Sequence, residues 1–383
     1  MSARKIAQWH DAGIIDAATR DRLLAYEADH ARPLALWAVW GIGALTIGLG
    51  FVSVVAANWE DIPGLVRLAV HLALIAGLLG LVFLREDRLA ARSPWTVEAL
   101  AFTAAALGLT FFGHLGQVYQ TSSPLWQPLA AWLALFAPLL LLTGRSWPTA
   151  LAVVGGAVWT AWEYAGAMTD HGGLRDPGPM WLTWIGAVVA LPAAFAPGAG
   201  WLRARTLRPD FWRRMEQLAL AYAVGLASLA CAVASAGELD GSGPRDGGTA
   251  GFACGLVVAL AGLAHFAARP GISGRMAAAI IAGAGVTIAL AVLTDDFTVP
   301  AALLFLALWA GIAAAALAAQ WRGVFQLAVG VIALRLIVLS FELAADLLTS
   351  GFGLILSGLM ILGVAWIAVR FSRRFAPREE GAA

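Results

Sequence analysis

Apolar runs close to the ~20 residues needed to cross a lipid bilayer recur along almost the whole chain. Only 13% of the 383 residues are charged, against about 25% in ordinary soluble domains. A soluble core of this size cannot hide so much apolar surface behind so few charges, which excludes an ordinary soluble enzyme, a disordered protein and a disulfide-stapled secreted domain. The pattern predicts an all-α polytopic integral membrane protein with about 12 transmembrane helices.

The runs divide into six before and six after a basic stretch at residues 197–214. A polar break at residues 113–123 makes the third and fourth apolar runs short for membrane spans, so ten to twelve spans are expected. The predicted spans are Leu34–Ala57, Leu65–Leu84, Val97–Phe112, Leu125–Leu142, Ala150–Met168, Met180–Ala196, Met215–Ala236, Thr249–Ala268, Ala277–Leu293, Pro300–Ala319, Gly323–Ser340 and Gly351–Val369.

The basic residues indicate how these spans are oriented. With a cytoplasmic N-terminus, all but four of the 25 basic residues fall in segments on the cytoplasmic side, as the positive-inside rule requires. The exceptions are Arg67, Arg175, Arg245 and Arg335. We therefore expect both termini to lie in the cytoplasm. The net charge of +1 gives no reason to expect a nucleic-acid partner.

Residues 1–33 form the one sizeable polar segment and are expected to be a cytoplasmic, amphipathic helical cap. Ile6 and Trp9 give a first helix an apolar edge, and Gly13 suits its C-terminus. Asp16 is placed to cap a second helix. Residues 34–369 then form the transmembrane domain, with residues 34–196 and 215–369 as its halves, and residues 370–383 form a cytoplasmic tail.

The basic stretch Pro197–Arg214 is predicted to be the longest cytoplasmic loop. Arginines interleaved with aromatic residues favour a segment lying in the membrane interface against anionic lipid. Small-residue stretches such as Gly283-Ala284-Gly285 indicate close helix packing rather than a phosphate site. The arginines and aromatic residues of the loop are Arg203, Arg205, Arg208, Arg213, Arg214, Trp201, Phe211 and Trp212.

Ionisable groups inside a bilayer are costly, so each one needs a reason. Arg67 lies near the outer end of the second span with His71 one turn later, Glu163 near the outer end of the fifth, and Arg335 in the outer third of the eleventh. Counting along the spans places all of them toward the extracytoplasmic side. Arg67 and Arg335 are expected to bind an anionic group or to pair with Glu163 or Glu342.

Two further polar segments lie toward the same side. Capping and interface preferences explain the loop around Asn58 and Trp59, which favours a structural role for it. In the segment 113–120, Gln117 and Tyr119 either line a wet cavity or satisfy carbonyls of a broken helix, and the sequence does not separate these alternatives. The residues predicted to line an outward-facing ligand pocket are Asn58, Trp59, Arg67, Gln117, Tyr119, Glu163 and Arg335.

Several short motifs in the first 145 or so residues occur in a recognisable order. They are Ile6-Ala7-Gln8-Trp9 with Gly13-Ile14-Ile15, then Ala57-Asn58-Trp59, then Gly116-Gln117-Val118-Tyr119 followed by Trp126 or Trp132. In this order they resemble the bacterial membrane family catalogued as domain of unknown function 2157. The resemblance implies an inner-membrane protein with a short cytoplasmic N-terminal domain, and it implies no catalytic residue.

Three classes of function remain open on the sequence. No catalytic residues, metal ligands or cofactor motif stand at a diagnostic spacing, which disfavours a membrane enzyme acting on lipid-linked substrates. Twelve spans and scattered intramembrane charges permit a small-molecule transporter. We expect instead a non-enzymatic envelope component with a sensing or scaffold role, without a cofactor, whose partners are the bilayer and anionic lipid at the basic loop.

Overall fold

The computed structural model describes residues 3–29, 62–120, 123–170, 178–235, 246–294 and 298–343, with a few further positions at 42–46 and 358–370. Within these residues every regular element is a helix, which confirms the all-α prediction. The chain divides into two units, residues 1–67 and 68–383, and each is described by itself.

The N-terminal unit contains two short helices, α1 (Ala3–Asp11) and α2 (Ala17–Asp29). The turn after α1 depends on Gly13, whose φ of +69° lies in the left-handed region that favours glycine. The N–H of Ile14 donates to the carbonyl of Trp9 at 2.9 Å, which is the six-to-one bond of a Schellman motif. The predicted helix end at Gly13 is therefore confirmed.

The second helix begins with the predicted side-chain cap. The Oδ1 atom of Asp16 accepts a hydrogen bond from the backbone N–H of Thr19 at 2.8 Å. This bond satisfies one of the donors that a helix N-terminus leaves unpaired. Both ends of the α1–α2 connection are thus fixed by local chemistry that can be read directly from the sequence.

From residue 64 onward the chain forms a series of long helices. Nine helices in the described residues are long and apolar enough to cross a membrane, counting α7 and α8 as one. The elements are α3 (Gly64–Arg92), α4 (Pro94–Tyr119), α5 (Trp126–Thr143), α6 (Trp147–Asp170), α7 (Pro179–Ala190), α8 (Phe195–Arg203), α9 (Pro209–Ser235), α10 (Asp246–Ala268), α11 (Ile272–Ala291), α12 (Thr298–Ala318) and α13 (Arg322–Leu343).

Ten of the twelve predicted spans fall on described residues, and each of them coincides with a helix. The helix α6 is 24 residues long but is not among the nine that are apolar enough to span by composition. The predicted first and last spans, Leu34–Ala57 and Gly351–Val369, lie outside the residues that the structure describes as continuous elements.

The polar break predicted at residues 113–123 is wrong for its first part. Helix α4 continues through that segment to Tyr119 and closes at Gln120, which has a φ of 52° and donates its N–H to the carbonyl of Gly116. The polar side chains are carried on the last two turns of an intact helix. The broken-helix alternative for Gln117 and Tyr119 is therefore also wrong.

The predicted cytoplasmic loop 197–214 is wrong in its extent. Helix α8 runs to Arg203 and α9 begins at Pro209, so the connection comprises only residues 204–208. Proline at the first position of a helix is pre-organised and lacks only an N–H that would be unpaired there. The arginines and aromatic residues of this stretch predict an interfacial segment against lipid, whereas most of the stretch continues two helices.

The helices α7 and α8 are joined by a short 3₁₀ turn, Leu191–Ala194, that contains Pro192. Proline has no N–H to donate to the preceding turn, so a break here leaves carbonyl groups without their usual helical partners. The hydroxyl of Tyr222 on α9 donates to the carbonyl of Val189 at 2.7 Å. The break is thereby satisfied from within the protein, as an apolar surrounding requires.

Helices α10 and α11 pack through small residues. A Cβ atom at Gly262 would collide with the backbone of Ala282, and one at Gly285 would collide with the backbone of Ala259. The prediction of close packing is thus confirmed at Gly285, whereas a Cβ at Gly283 would meet open space. Backbones this close are typical of membrane helices, where van der Waals contact replaces the hydrophobic effect.

Candidate functional site at two buried carboxylates

Glu216 on α9 lies in a cluster of oppositely charged and polar side chains. It is 3% exposed, and its Oε2 atom lies 3.2 Å from Nη1 of Arg203. Its Oε1 atom accepts a hydrogen bond from Nη1 of Arg269 and lies 3.3 Å from Nε2 of His265. Because an unpaired charge is very costly away from water, these contacts account for how a carboxylate can be buried here.

Three helix ends bring this cluster together. Arg203 is the last residue of α8, Glu216 lies two turns into α9, and His265 and Arg269 lie one turn apart at the end of α10. The imidazole of His265 is fully buried, and a Cβ at Gly200 would come within 2.8 Å of its Cε1 atom. Glycine at position 200 therefore lets α8 approach the histidine directly.

The cluster carries more positive than negative charge. Two guanidinium groups face one carboxylate, and their side chains are 29% exposed for Arg203 and 19% exposed for Arg269. Within the described residues no set of three His, Cys, Asp or Glu side chains is placed to hold a metal ion. The arrangement is thus chemically suited to holding anions, with the carboxylate of Glu216 as the one already present.

Glu98 on α4 is a second buried carboxylate, 4% exposed, and its partners are uncharged donors. Its Oε1 atom accepts from the backbone N–H groups of Arg145 and Ser146, each at 2.8 Å, and from the Ser146 hydroxyl at 2.8 Å. The hydroxyl of Thr149 donates to the same oxygen at 2.6 Å. Glu98 thus caps the N-terminus of α6 from another helix, where the helix dipole favours a negative charge.

Arg208, from the 204–208 connection, holds the other side of the same turn. Its Nη1 and Nη2 atoms donate to the carbonyls of Gly144 and Leu141, at 2.7 and 2.8 Å, which lie at the C-terminal end of α5. Burial, together with the charge of Arg145, lowers the pKa of the Arg208 guanidinium from its ordinary value. The side chain of Arg214 donates to the carbonyl of Arg145. In the turn between α5 and α6, the backbone N–H groups therefore donate to the Glu98 carboxylate, and the backbone carbonyls accept from arginine side chains.

His71 on α3 and His114 on α4 form a hydrogen-bonded pair, with their Nδ1 atoms 3.4 Å apart. The Nε2 atom of His71 lies 3.0 Å from the carbonyl of Leu107, which can only accept, so this nitrogen carries the proton. In neutral His71 the Nδ1 atom is then an acceptor, and His114 donates to it. The two histidines connect α3 to α4 through one shared hydrogen bond, and sequence reasoning had not paired them.

The predicted ligand pocket is only partly within the described residues. Asn58 and Trp59 lie outside them, and Arg67 belongs to the N-terminal unit. Gln117 and Tyr119 are exposed on the last turn of α4. Their grouping into one pocket stays a prediction.

The remaining two pocket residues have separate partners. Glu163 accepts a hydrogen bond from Nε1 of Trp159, one turn earlier on the same helix, at 3.0 Å. Arg335 on α13 donates to the hydroxyl of Ser235 at 2.6 Å, and its guanidinium lies 6.0 Å from the ring centre of Phe305. Each residue is thus engaged by its own neighbours.

Sequence reasoning missed Glu98 and Glu216 as site residues. The available signal was their position, because each is an acid close to the end of an otherwise apolar run, where an ionised group requires a partner. Most of their partners lie about 50 positions away along the chain, 51 between Thr149 and Glu98 and 53 between Arg269 and Glu216, whereas Arg203 lies 13 positions from Glu216. No local pattern identifies contacts of that separation.

Comparison with known proteins agrees with the resemblance noted in the sequence. Residues 7–149 match a family described as "Predicted membrane protein (DUF2157)". The protein is a polytopic membrane protein. No curated protein and no solved structure matches the chain. The matched region includes Glu98, His71 and His114, whereas Glu216 and its partners lie beyond it.

Proposed function

We propose that this chain is a non-enzymatic component of the bacterial inner membrane with a scaffold or sensing role. The observation that carries the proposal is the internal pairing of buried charge. Glu98 and Glu216 are the acids buried among the described residues: Glu98 accepts four hydrogen bonds on its Oε1 atom, and Glu216 is contacted on both of its oxygens. A group that acts as a catalytic base or substrate ligand must be reached by its substrate, and these carboxylates are only 4% and 3% exposed.

The proposed orientation places both termini and the 204–208 connection in the cytoplasm. Its support is the distribution of basic residues along the chain. Around this connection, Leu207 is fully exposed and Arg205 stacks on the half-exposed ring of Trp201 at 4.4 Å. An exposed tryptophan under an arginine is suited to the headgroup region, so anionic lipid is the partner proposed for this segment.

A small-molecule transporter is the second candidate, and one observation favours it. The discontinuous helix α7–α8, with Pro192 in its 3₁₀ turn, is of a kind that forms binding sites in transporters. Against it, the Val189 carbonyl near the break is occupied by Tyr222 rather than left for an ion or a substrate. A membrane enzyme has weaker support, because the buried acids are already engaged.

Labelling of the two native cysteines distinguishes a closed helix interior from the interior of a transporter, which admits water as the transporter changes conformation. Cys231 on α9 and Cys254 on α10 are 1% and 7% exposed. In native membranes, a permeant maleimide is expected to leave both thiols unlabelled in the scaffold and to label them only after denaturation. A Leu207→Cys variant is the matched positive control, because that position is fully exposed.

Labelling of Cys231 or Cys254 in the folded protein would contradict the closed scaffold and favour a transporter that admits water. The orientation is tested separately in a variant lacking both native cysteines. An impermeant maleimide added outside intact cells is expected to label Asp240→Cys but not Arg88→Cys or Leu207→Cys. The reverse pattern would overturn the cytoplasmic placement of the termini without affecting the conclusion about the interior.

A further inference from the structure

The Glu216 cluster leaves positive charge that the carboxylate does not cancel. Arg203 and Arg269 each use one Nη1 atom on Glu216, and a guanidinium has five N–H donors. Within the described residues neither guanidinium group has another hydrogen bond or ion pair. Both side chains are partly exposed, at 29% and 19%, so their remaining donors are available to a ligand.

His265 is a further polar side chain beside the Glu216 carboxylate. It is fully buried, and its Nδ1 atom has no hydrogen-bond partner among the described residues. Its Nε2 atom lies 3.3 Å from the same Oε1 atom that Arg269 engages. Arg269 and His265 therefore both lie against this one carboxylate oxygen.

The cluster lies where a headgroup would lie. Arg203 is the last residue of the candidate span Pro179–Arg203, and Arg269 follows directly after the candidate span Gly248–Ala268. Glu216 lies about 10 Å along the axis from the start of α9, given a rise of about 1.5 Å per residue. Large apolar side chains exposed near these span ends in the sequence are Trp201, Leu207, Phe266 and Ile272.

We propose that Arg203 and Arg269 together bind a phosphate-bearing anion at the ends of α8 and α10. Arginine forks match phosphate oxygens in geometry, and two of them at the edge of a bilayer can bridge one phosphate. Glu216 fixes both guanidinium groups in place from the buried side. The anion is either the headgroup of an anionic phospholipid or a soluble phosphate. Only the lipid source rests on the proposed function, through the cytoplasmic membrane surface assigned to this end.

The site is tested on the full-length protein after detergent exchange. Phosphatidylglycerol and phosphatidylcholine are titrated in parallel, and inorganic phosphate is titrated against chloride at equal ionic strength, with thermal stability and native mass spectrometry as readouts. Arg203→Gln and Arg269→Gln are expected to weaken phosphate or phosphatidylglycerol binding by about tenfold or more. Arg88→Gln is the matched control and is expected to change it by less than about twofold, because Arg88 is an exposed arginine near the C-terminal end of α3.

Binding of phosphatidylglycerol alone assigns the anion to lipid, and binding of inorganic phosphate alone assigns it to a soluble source. Absence of binding by both ligands, or equal weakening by Arg88→Gln, would overturn the site. If the glutamine variants do not fold, Arg203→Lys is used instead. This variant keeps a positive charge beside Glu216 but removes the two-pronged guanidinium group. Unchanged binding by Arg203→Lys would then overturn the bidentate arrangement. The cysteine-labelling result does not depend on any of these outcomes.

Discussion

Glu98 and Glu216 are buried carboxylates that the protein stabilises in two different ways. Both carboxylates are almost fully buried near the ends of membrane helices. Glu98 is held by backbone N–H groups and hydroxyls on one oxygen, whereas Glu216 is held by two arginines and a histidine on both oxygens. The first arrangement fixes a turn between helices and adds no counter-charge. The second ties three helices together and leaves surplus positive charge at their ends.

The largest predicted loss of stability follows from neutralising the carboxylate of Glu216. Glu216→Gln leaves Arg203 and Arg269 facing each other without a counter-ion, and breaking a buried ion pair from one side is expected to cost about 3 kcal/mol. Chemical unfolding in mixed detergent micelles measures the change. Glu163→Gln is the control, since Glu163 is half-buried and is bonded by Trp159 on its own helix. A variant as stable as the parent would show that Glu216 is not the anchor of the cluster.

The interface between α10 and α11 shows how much stability close packing carries without any charge. Gly262→Ala places a methyl group against the backbone of Ala282 and is expected to cost about 2 kcal/mol. The matched control is Gly283→Ala, because a Cβ there meets open space. Equal unfolding free energies for the two variants would contradict the close approach of these helices.

The carboxylate held by neutral donors should tolerate neutralisation better than the one held by cations. Glu98→Gln keeps an acceptor oxygen for Ser146 and Thr149 but loses the charge that favours the N-terminus of α6. The expected loss is about 1–2 kcal/mol. It is measured in the same micelles, with Glu98→Ala expected to cost more. A larger loss for Glu98→Gln than for Glu216→Gln would reverse the comparison.

An exposed carboxylate gives the smallest effect. Hydrogen bonds from the Thr19 side chain and backbone lower the pKa of Asp16 below its ordinary value. A lowered pKa in the folded state means that the cap stabilises α2 above the unfolded-state pKa and loses this contribution as the pH falls through the folded-state pKa. Amide exchange in residues 17–29 is expected to accelerate with acidification, after correction for intrinsic rates. In Asp16→Ala this pH dependence should disappear, and its persistence would assign it to another group.

What the sequence predicted correctly was local. Apolar length gave the helices, and Gly13 and Asp16 gave the end of α1 and the start of α2, because each acts within five residues of itself. Glycine content predicted close packing but not which face of α11 contacts α10. Gly285 and Gly283 differ only in the direction they face, and that depends on the partner helix.

What the sequence predicted wrongly was the meaning of polar residues. The segment 113–120 was predicted to break the helix because His114 and Gln117 interrupt an apolar run. In the structure His114 hydrogen-bonds to His71 on the neighbouring helix, and the backbone stays helical. Arg203, Arg208 and Arg214 read as a lipid-facing loop, yet each donates to protein. Polarity shows that a partner is required, and only the fold shows whether that partner is water, lipid or another helix.

A double-mutant cycle on Glu216 and Arg269 tests most directly whether buried charge is compensated within the protein. The unfolding free energies of Glu216→Gln, Arg269→Gln and the double variant are compared with that of the parent. If the two side chains form the pair seen here, the double variant loses about 1–3 kcal/mol less than the sum of the single variants. Strictly additive losses would mean that the two groups do not interact, and the central claim of internal pairing would be contradicted.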